Sequence, residues 1–264
     1  MSNNKKSYEL IYDSNQVEQF QKLFCTTVDT YHGYILYLAA RRKYDGRQKH
    51  NTSTCFNRQI ISPHLCGNLV QYIQRYEVPY GVYTNLDGTI VEQNALVVYF
   101  CLNPRNMLKG FNAMCKKIND KTEMILFSET KQDFSNLIGD LKSCIHSAQS
   151  MKLYFELDID TKDKNIVKDI VSVVSKVKKH IVCTIETRGG YHVIFNNLSV
   201  PKDEKSELWK TFSQPNFMFM STDFNGLKIT KKYVDVRSDA SPPVPGTLQG
   251  GFRVKFVELE NIIN

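Results

Sequence analysis

The spacing of apolar residues along the first half of the chain predicts both helices and strands. Apolar side chains recur three or four positions apart over residues 16–24, which is the spacing of a helix. The apolar run at residues 33–40 fits either a strand or a buried helix segment. Strand-like runs at residues 78–84 and 95–102 flank the turn-forming residues 85–88 and therefore predict a hairpin.

Polar stretches between these runs predict loops and a boundary. A helix is expected at residues 108–118, whereas the polar, turn-rich residues 43–62 predict a loop or an insertion. Small and polar residues gather at residues 142–151, which is typical of a boundary between subdomains. We therefore expect an amino-terminal α/β lobe over residues 1–145 and a second lobe over residues 146–264.

Strict alternation of apolar and polar residues marks the second half of the chain. Residues 153–160 (LYFELDID) place apolar side chains on one side of a predicted strand, and a tyrosine and three acidic residues on the other. The elements expected after this strand are a helix at residues 165–180 and strands at residues 181–186, 191–195, 232–236 and 252–257. This order predicts an α+β fold in which helices cover one face of an open, mostly antiparallel sheet.

Composition excludes several classes of protein. Of the 264 residues, 42% are hydrophobic and 23% are charged, a balance that excludes wholly disordered and fibrous chains. No apolar run reaches the roughly 18 residues of a membrane helix, and the first residues lack a signal-peptide core. We therefore expect a soluble protein of the cytoplasm or nucleus with no membrane partner. Seven cysteines, an odd number scattered along the chain, favour reduced buried thiols over a disulfide framework.

A modest excess of basic residues favours polyanionic partners. The chain has 34 Lys and Arg residues against 27 Asp and Glu residues, which gives a formal net charge of +7. Basic residues concentrate at residues 39–49, 176–180 and 228–232. Each of these runs is suited to contacting nucleic-acid phosphates, but a solvated surface is the more common explanation for any one of them.

Asp158 and Asp160 lie two residues apart on the predicted strand at residues 153–160, so their side chains point the same way with Cα atoms about 6.5–7 Å apart. Burial of unpaired carboxylates is costly, so the pair either meets water at a strand end or holds cations. Considered alone, this motif fits a solvated strand face and a metal site equally well. Asp235 adds a third carboxylate on a later predicted strand.

His192 follows a glycine-rich hairpin turn that contains Arg188, Gly189 and Gly190. The two glycines let a backbone or a phosphate approach closely, and the guanidinium can donate two hydrogen bonds to phosphate oxygens. A lone histidine is more often structural, but these neighbours favour a phosphate contact. We expect His192 to meet a triphosphate and not metals, because it lies on the hairpin strand and not beside the acidic pair. Three carboxylates, a histidine and an arginine together suit phosphoryl transfer assisted by two Mg²⁺ or Mn²⁺ ions about 3.5–4 Å apart.

Four segments, LYFELDID, ETRGGYHVIF, YVDV and PPVPGTLQGGFRVKF, resemble in order and spacing the catalytic core of the archaeo-eukaryotic primase superfamily, the primase-polymerases. The resemblance covers residues 96–256, and its specific motifs lie within residues 153–256. It implies a two-lobed core whose second lobe is an RRM-like, mostly antiparallel sheet with helices on one face. It also implies a template-dependent nucleotidyltransferase that makes or extends primers from nucleoside triphosphates and releases pyrophosphate.

The resemblance also implies roles for individual residues. The catalytic metals, two Mg²⁺ or Mn²⁺ ions, are expected to be bound by Asp158, Asp160 and Asp235. The residues expected to contact the incoming nucleotide are His192 and Arg188, with Gly189 and Gly190 of the same turn. Charge and position alone add Arg237 to these nucleotide contacts and suggest nucleic-acid contacts at Arg41, Arg42, Lys43, Arg105, Arg253 and Lys255. The expected partners are a single-stranded DNA or RNA template, nucleoside triphosphates, and a helicase or another replication protein.

Gly190 departs from the family pattern, because many members carry serine there in a Ser-x-His motif. The missing hydroxyl leaves open a second function, a catalytically inactive primase-like subunit that binds single-stranded nucleic acid or partner proteins. A replication-initiator endonuclease is disfavoured, since no His-hydrophobic-His pair occurs among the six histidines. A zinc site is also disfavoured, because the spacings of His50, Cys55, His64 and Cys66 match no usual zinc-finger pattern.

Overall fold

Helices and mostly antiparallel strands make up this computed structural model, which describes residues 7–26, 29–41, 44, 53–62, 67–85, 87–128, 134–148, 150–222 and 228–262. Its strands are β1 (His32–Arg41), β2 (Ser53–Ile61), β3 (Leu96–Asn106), β4 (Tyr154–Ile159), β5 (Ile181–Glu186), β6 (Tyr191–Asn196), β7 (Met218–Thr222), β8 (Lys228–Lys232), β9 (Val234–Arg237), β10 (Leu248–Gln249), β11 (Phe252–Arg253) and β12 (Lys255–Val257). Its helices are α1 (Ser14–Phe24), α2 (Leu69–Gln74), α3 (Met107–Ser128), α4 (Leu137–Ser147), α5 (Lys164–Ser175) and α6 (Lys202–Thr211). The predicted α+β class is therefore confirmed.

The first sheet has the order β2-β1-β3, and both neighbouring pairs are antiparallel. α1 and α2 share an apolar core with this sheet, in which the ring of Phe20 meets that of Phe100 edge-on. Asp13 begins α1, because its carboxylate accepts hydrogen bonds from backbone N–H groups of the first turn. The helix predicted at residues 16–24 is confirmed, and the apolar run at residues 33–40 proves to be a strand.

Two predictions for the first half are wrong. Residues 53–61, expected within a loop, form the edge strand β2, whose sequence STCFNRQII is largely polar and does not alternate. The predicted hairpin also fails, because residues 78–84 make only isolated bridges and do not pair with β3. Pro79 lacks a backbone N–H, and Gly81 has a φ of 96°, so this segment turns where an extended strand was expected. Proline and glycine here prevent the extended strand that the neighbouring apolar residues favour.

Two kinds of contact join the first sheet to the second. Ile185 of β5 and Ile194 of β6 belong to the same apolar core as the residues of β1 and β3. In addition, the fully buried Asn103 of β3 clamps the backbone at the start of β4. Its Nδ2 donates to the carbonyl oxygen of Tyr154 at 2.8 Å, and its Oδ1 accepts from the N–H of Tyr154 at 2.9 Å. The two sheets are thereby held in a defined relation around their shared core.

The expected boundary at residues 142–151 is partly helical. α4 covers residues 137–147, and the second sheet begins only at Tyr154. The helix predicted at residues 108–118 is confirmed as part of α3, which continues to Ser128. The segment between the sheets is thus a helical pair that follows β3.

The second sheet has the order β12-β5-β6-β4-β9 and is antiparallel throughout. The hairpin predicted over residues 181–195 is confirmed as β5 and β6. α5 and α6 cover one face, where Phe155, Leu157 and Ile159 of β4 are buried in a second apolar core. The alternation predicted for residues 153–160 is therefore confirmed, and the acidic side of β4 faces away from these helices.

Later elements are shorter than the sequence pattern predicts. The strand expected at residues 232–236 is divided between β8 and β9 by a bend at Tyr233, and the strand expected at residues 252–257 is interrupted at Val254. β7 and β8 form a separate antiparallel hairpin. Within the described ranges, none of the helices has the length and apolar character needed to span a membrane.

The cysteines depart in part from the expected set of reduced buried thiols. Cys101 is buried and free, whereas Cys55 and Cys115 are free but exposed. Cys25, by contrast, is disulfide-bonded. An odd number of cysteines excludes complete pairing, but it does not exclude a single disulfide.

Candidate active site

Acidic side chains from two neighbouring strands gather on the face of the second sheet that α5 and α6 leave uncovered. On β4, Glu156 is fully buried and Asp158 is 9% exposed. The register pairs Asp158 directly with Asp235 of β9, so these two side chains lie on the same face. Asp160 comes just after β4, and its backbone N–H donates to the carbonyl oxygen of Tyr233 at 2.9 Å.

Glu156 is a member of this cluster that the sequence prediction left out. The alternation of residues 153–160 had placed it on the same side as Asp158, and this is the signal that could have identified it. Its burial is the unexpected feature, because a carboxylate that is out of contact with water needs a partner.

One guanidinium contacts the three clustered carboxylates. The register places Arg237 of β9 opposite Glu156 of β4. Its nitrogen atoms lie 2.5 Å from Asp158 (Nη2–Oδ2), 2.9 Å from Asp235 (Nε–Oδ2) and 3.5 Å from Glu156 (Nη1–Oε1). Burial opposes the charged form, but the carboxylates, Asp158 foremost, raise the pKa of Arg237 above its ordinary value. Arg237, expected to contact phosphate, therefore acts in this structure as the counter-ion of the cluster.

His192 lies directly beside the acidic residues, which corrects the expectation that the hairpin would hold it away from them. The register of β4 and β6 pairs His192 with Asp158. Its Nε2 lies 3.5 Å from Asp158 Oδ1, and its Nδ1 lies 3.4 Å from Glu156 Oε2. Burial lowers the pKa of His192, but the two carboxylates outweigh this effect and raise it above its ordinary value. The sequence prediction failed because it did not include the pairing of β6 with β4.

Two polar atoms of this cluster lack a well-formed hydrogen bond. Glu156 Oε2 and His192 Nδ1 are buried, and neither has a hydrogen-bond partner among the described residues, although each lies within ion-pair distance of the other. A buried polar atom without a hydrogen bond is unfavourable and often marks a site that a ligand or water completes.

The turn between β5 and β6 approaches the end of β4 very closely. A Cβ added at Gly190 would overlap the carbonyl oxygen of Ile159 and lie 2.9 Å from the backbone nitrogen of Thr161. A side chain is therefore excluded at Gly190 by backbone atoms, whereas its φ lies outside the left-handed region. The turn itself is closed by the N–H of Thr187, which donates to the carbonyl oxygen of Gly190 at 2.9 Å.

Arg188 is held in place by neighbours from two distant parts of the chain. Its backbone N–H donates to Gln249 Oε1 at 2.7 Å, and its Nη1 donates to the carbonyl oxygen of Gly250 at 2.7 Å. Its guanidinium lies over the ring of Tyr44, 4.7 Å from the ring centroid. The side chain is thus oriented before any ligand binds.

A cavity of about 150 Å³ opens onto the carboxylates and is lined by residues of both sheets. The second sheet and its turns contribute Glu156, Asp158, Asp160, Thr187, Gly189, His192 and Arg237. The first sheet contributes Tyr37, Arg41 and Tyr99. Arg41 donates from Nη1 to Tyr99 Oη at 3.1 Å, and its buried Nε has no hydrogen-bond partner among the described residues. The structure thus brings Arg41 to the acidic cluster, whereas Arg42 and Lys43 lie outside the described residues.

The remaining basic residues predicted to contact nucleic acid are not at this cavity. Arg105 is only 8% exposed, and its Nη2 pairs with Asp239 Oδ2 at 2.7 Å, so its charge is already compensated inside the fold. Lys255 pairs with Glu186 at 3.2 Å on the edge strand β12. Arg253 is exposed and lies over the ring of Tyr12, 5.3 Å from its centroid.

In the part of the chain that the structure describes, no group of three or more His, Cys, Asp and Glu side chains is arranged to hold a metal ion. Of the residues weighed for zinc, Cys55 is exposed and carries a free thiol, and His50, His64 and Cys66 lie outside the described residues. Comparisons of the chain with family models, curated proteins and solved structures give no match.

Proposed function

We propose that this chain is a template-dependent nucleotidyltransferase of the primase-polymerase type, which makes or extends primers from nucleoside triphosphates. The observation that carries the proposal is the meeting of Glu156, Asp158 and His192 at one cavity, with Asp235 paired to Asp158 on the neighbouring strand. β4 and its two neighbours supply these groups, so the arrangement is built into the register of the sheet. Phosphoryl transfer needs such positioned charges more than it needs a covalent intermediate.

The donor atoms of the cluster fit Mg²⁺ or Mn²⁺. Both ions prefer carboxylate oxygens, and Glu156 has a buried oxygen without a hydrogen bond. We assign the cations to Asp158, Asp160 and Asp235, with Glu156 as a further carboxylate of the same face. When bound, two such ions would stabilise the charge on the attacking and leaving oxygens of the phosphoryl group.

Arg237 has two tasks in this proposal. It pairs with the carboxylates, which holds Glu156 and Asp158 in position. If a bound cation took over one of these carboxylates, the donors of Arg237 would become available to a phosphate oxygen. The expected nucleotide contact of Arg237 and its observed pairing thus describe two states of one side chain.

The hairpin turn and the opposite wall of the cavity supply the remaining phosphate contacts. Gly189 lines the cavity without a side chain, and Arg188 is oriented by Gln249 and Gly250 at the same turn. Arg41 approaches from the first sheet and carries a buried N–H with no hydrogen-bond partner among the described residues. A triphosphate placed between these arginines would bring its negative charge to two oriented cations.

An inactive primase-like subunit that binds single-stranded nucleic acid or a partner protein is the second candidate. The observation in its favour is that Arg237 contacts three carboxylates, as an internal cation does where external ones have been lost. This second candidate function predicts that the chain binds nucleic acid but incorporates no nucleotides, whether or not Mn²⁺ is present.

A primer-extension and primer-synthesis assay tests the proposal. The wild-type chain is incubated with a single-stranded template, with or without a primer, and with ribonucleotides or deoxyribonucleotides in Mg²⁺ or Mn²⁺. Incorporation that depends on template and metal supports the enzyme. Template binding without incorporation under every condition would replace it with the inactive subunit.

A further inference from the structure

We propose that the β7–β8 hairpin carries a binding surface for single-stranded nucleic acid, formed by Phe219, Lys231 and Tyr233. We call these three residues the hairpin surface. The inference rests on the proposed function and deepens it, because it assigns a path for the template or primer strand. None of the three residues lines the cavity at the carboxylates, so the surface is a separate feature of the fold.

Two stacked aromatic rings form the apolar part of the hairpin surface. The rings of Phe219 and Tyr233 lie 4.6 Å apart between centroids with an angle of 25° between their planes. Both side chains are partly exposed. Aromatic rings held near a protein surface stack with nucleic-acid bases of any sequence, because every base has a π-face.

Positive charge lies beside these rings. The register of the hairpin pairs Phe219 directly with Lys231, so the ring and the ammonium stem lie on the same face of the two strands. Lys231 is exposed and has no ion-pair partner among the described residues. Lys162 and Lys255, in contrast, both pair with the carboxylate of Glu186. An unpaired lysine next to aromatic rings suits a single strand, because the lysine can contact a phosphate while a ring stacks on a base.

The position of the hairpin surface connects it to the acidic cluster. The N–H of Asp160 donates to the carbonyl oxygen of Tyr233 at 2.9 Å, and Asp235 follows Tyr233 by two residues. The N–H of Tyr233 in turn donates to the carbonyl oxygen of Phe217 at 2.7 Å, which fixes the hairpin to the edge of the second sheet. The hairpin surface is therefore attached through the backbone of Tyr233 to the residues that carry Asp160 and Asp235.

A purely structural role for the two rings is the competing account. Tyr233 packs partly against the second apolar core, and Phe219 stacks on it from outside. A structural pair would contribute to the free energy of unfolding but not to the affinity for an oligonucleotide. The two accounts therefore differ in what a substitution of Phe219 changes.

The experiment measures binding of a single-stranded oligonucleotide that contains 2-aminopurine, whose fluorescence falls when it stacks on an aromatic ring. Wild-type protein is compared with Phe219→Leu and Lys231→Gln over a series of salt concentrations. The matched controls are Phe111→Leu and Lys168→Gln, an exposed phenylalanine on α3 and an exposed lysine on α5. Thermal melting of each variant monitors folding.

We expect Phe219→Leu to weaken binding by about 5- to 150-fold and to reduce the fluorescence change, since one stacking contact is lost. Lys231→Gln should lower the slope of log affinity against log salt by about 0.7, because one phosphate contact is removed. Both controls should bind as the wild type does. Lys231 is exposed on a hairpin, so its variant stays informative even if Phe219→Leu unfolds.

If Phe219→Leu and Lys231→Gln both bind the oligonucleotide with the affinity and salt slope of the wild type, the proposed role of the hairpin surface is overturned. If the wild type nevertheless incorporates nucleotides, the proposed function survives and the strand follows another path. A wild-type chain that binds oligonucleotide without incorporating nucleotides would reject the enzyme, while the variants still decide on the hairpin surface. No oligonucleotide binding by the wild type would overturn both.

Discussion

Asp158 and Asp235 face each other across β4 and β9, and the guanidinium of Arg237 contacts both of them. Two carboxylates in directly opposed positions repel each other, so the pair is stable only with a cation between or beside them. The fold supplies that cation from the same strand as Asp235. The charge of the acidic cluster is therefore partly compensated from within, and any cation that binds there competes with Arg237.

Substitution of Asp158 tests the assigned chemistry. We expect Asp158→Asn to lower nucleotide incorporation by about 100-fold or more, because the loss of a cation ligand removes several kcal/mol of stabilisation from the transition state. Asp169→Asn is the matched control, since Asp169 is an exposed aspartate on α5, on the opposite side of the sheet. Primer-extension rates at saturating nucleotide provide the measurement. Equal rates for the two variants would contradict the role given to Asp158.

Substitution of Arg237 tests the competition between the internal and external cations. Arg237→Gln removes the counter-ion of Glu156 and should lower the free energy of unfolding by about 1–3 kcal/mol. Addition of Mn²⁺ should then raise the melting temperature of the variant more than that of the wild type, because an external cation takes over the role of the guanidinium. Arg253→Gln makes the same change of charge at an exposed position and is the control. A melting temperature that Mn²⁺ leaves unchanged in every protein would argue against a cation site.

Gly190 is expected to tolerate no side chain. Gly190→Ser would place atoms against the backbone of Ile159 and Thr161 and should cost about 1–3 kcal/mol of stability. The same change at Gly67, which has open space around it, should be nearly neutral. Chemical denaturation of both variants provides the comparison. A Gly190→Ser protein as stable as the wild type, with improved nucleotide affinity, would show that the turn can move and that the hydroxyl of the family pattern fits here.

Asn103 is expected to contribute strongly to the stability of the fold. Asn103→Ala leaves the N–H and the carbonyl oxygen of Tyr154 without their partners and should lower the free energy of unfolding by about 2–4 kcal/mol. Asn197→Ala, at a partly exposed position, removes one hydrogen bond to the carbonyl oxygen of Lys152 and one from the ammonium of Lys205, and should cost about 1 kcal/mol. Urea denaturation curves measure both values. Similar losses for the two variants would mean that the clamp on β4 is not important.

The lowered pKa of His146 predicts that the stability of the protein depends on pH. Burial, assisted by Arg58 and Arg105, lowers the pKa of His146 to about 4. Between this value and the ordinary histidine pKa of about 6.5, the unfolded chain binds a proton that the folded chain does not. Stability should therefore fall as the pH drops from about 6.5 to about 4, and His146→Gln should remove part of this fall. Unfolding free energies at several pH values measure it, and an unchanged pH slope in the variant would show that another group is responsible.

The sequence alone determined most elements of the second half of the chain. The alternation of residues 153–160, the glycines of the turn before His192 and the helical spacing of α5 are local signals, and each appears in the structure where the pattern predicted it. The first half was predicted less well, because β2 is an edge strand with polar residues on both faces and resembles a loop in its composition. The local sequence pattern is sufficient to predict an element where the segment has one clearly apolar face. It fails where the burial of the segment depends on a partner that is distant in sequence.

Only the tertiary structure decided which side chains share the candidate site. Glu156, His192 and Arg237 lie up to 81 residues apart, and they meet because β4 pairs with β6 on one side and with β9 on the other. Arg41 reaches the same cavity only because the first sheet packs against the second. No local pattern encodes such pairings, since strand order and register follow from the burial of all the strands together. The sequence therefore identified the acidic strand, and the register of its neighbours identified the counter-ion and the histidine that accompany it.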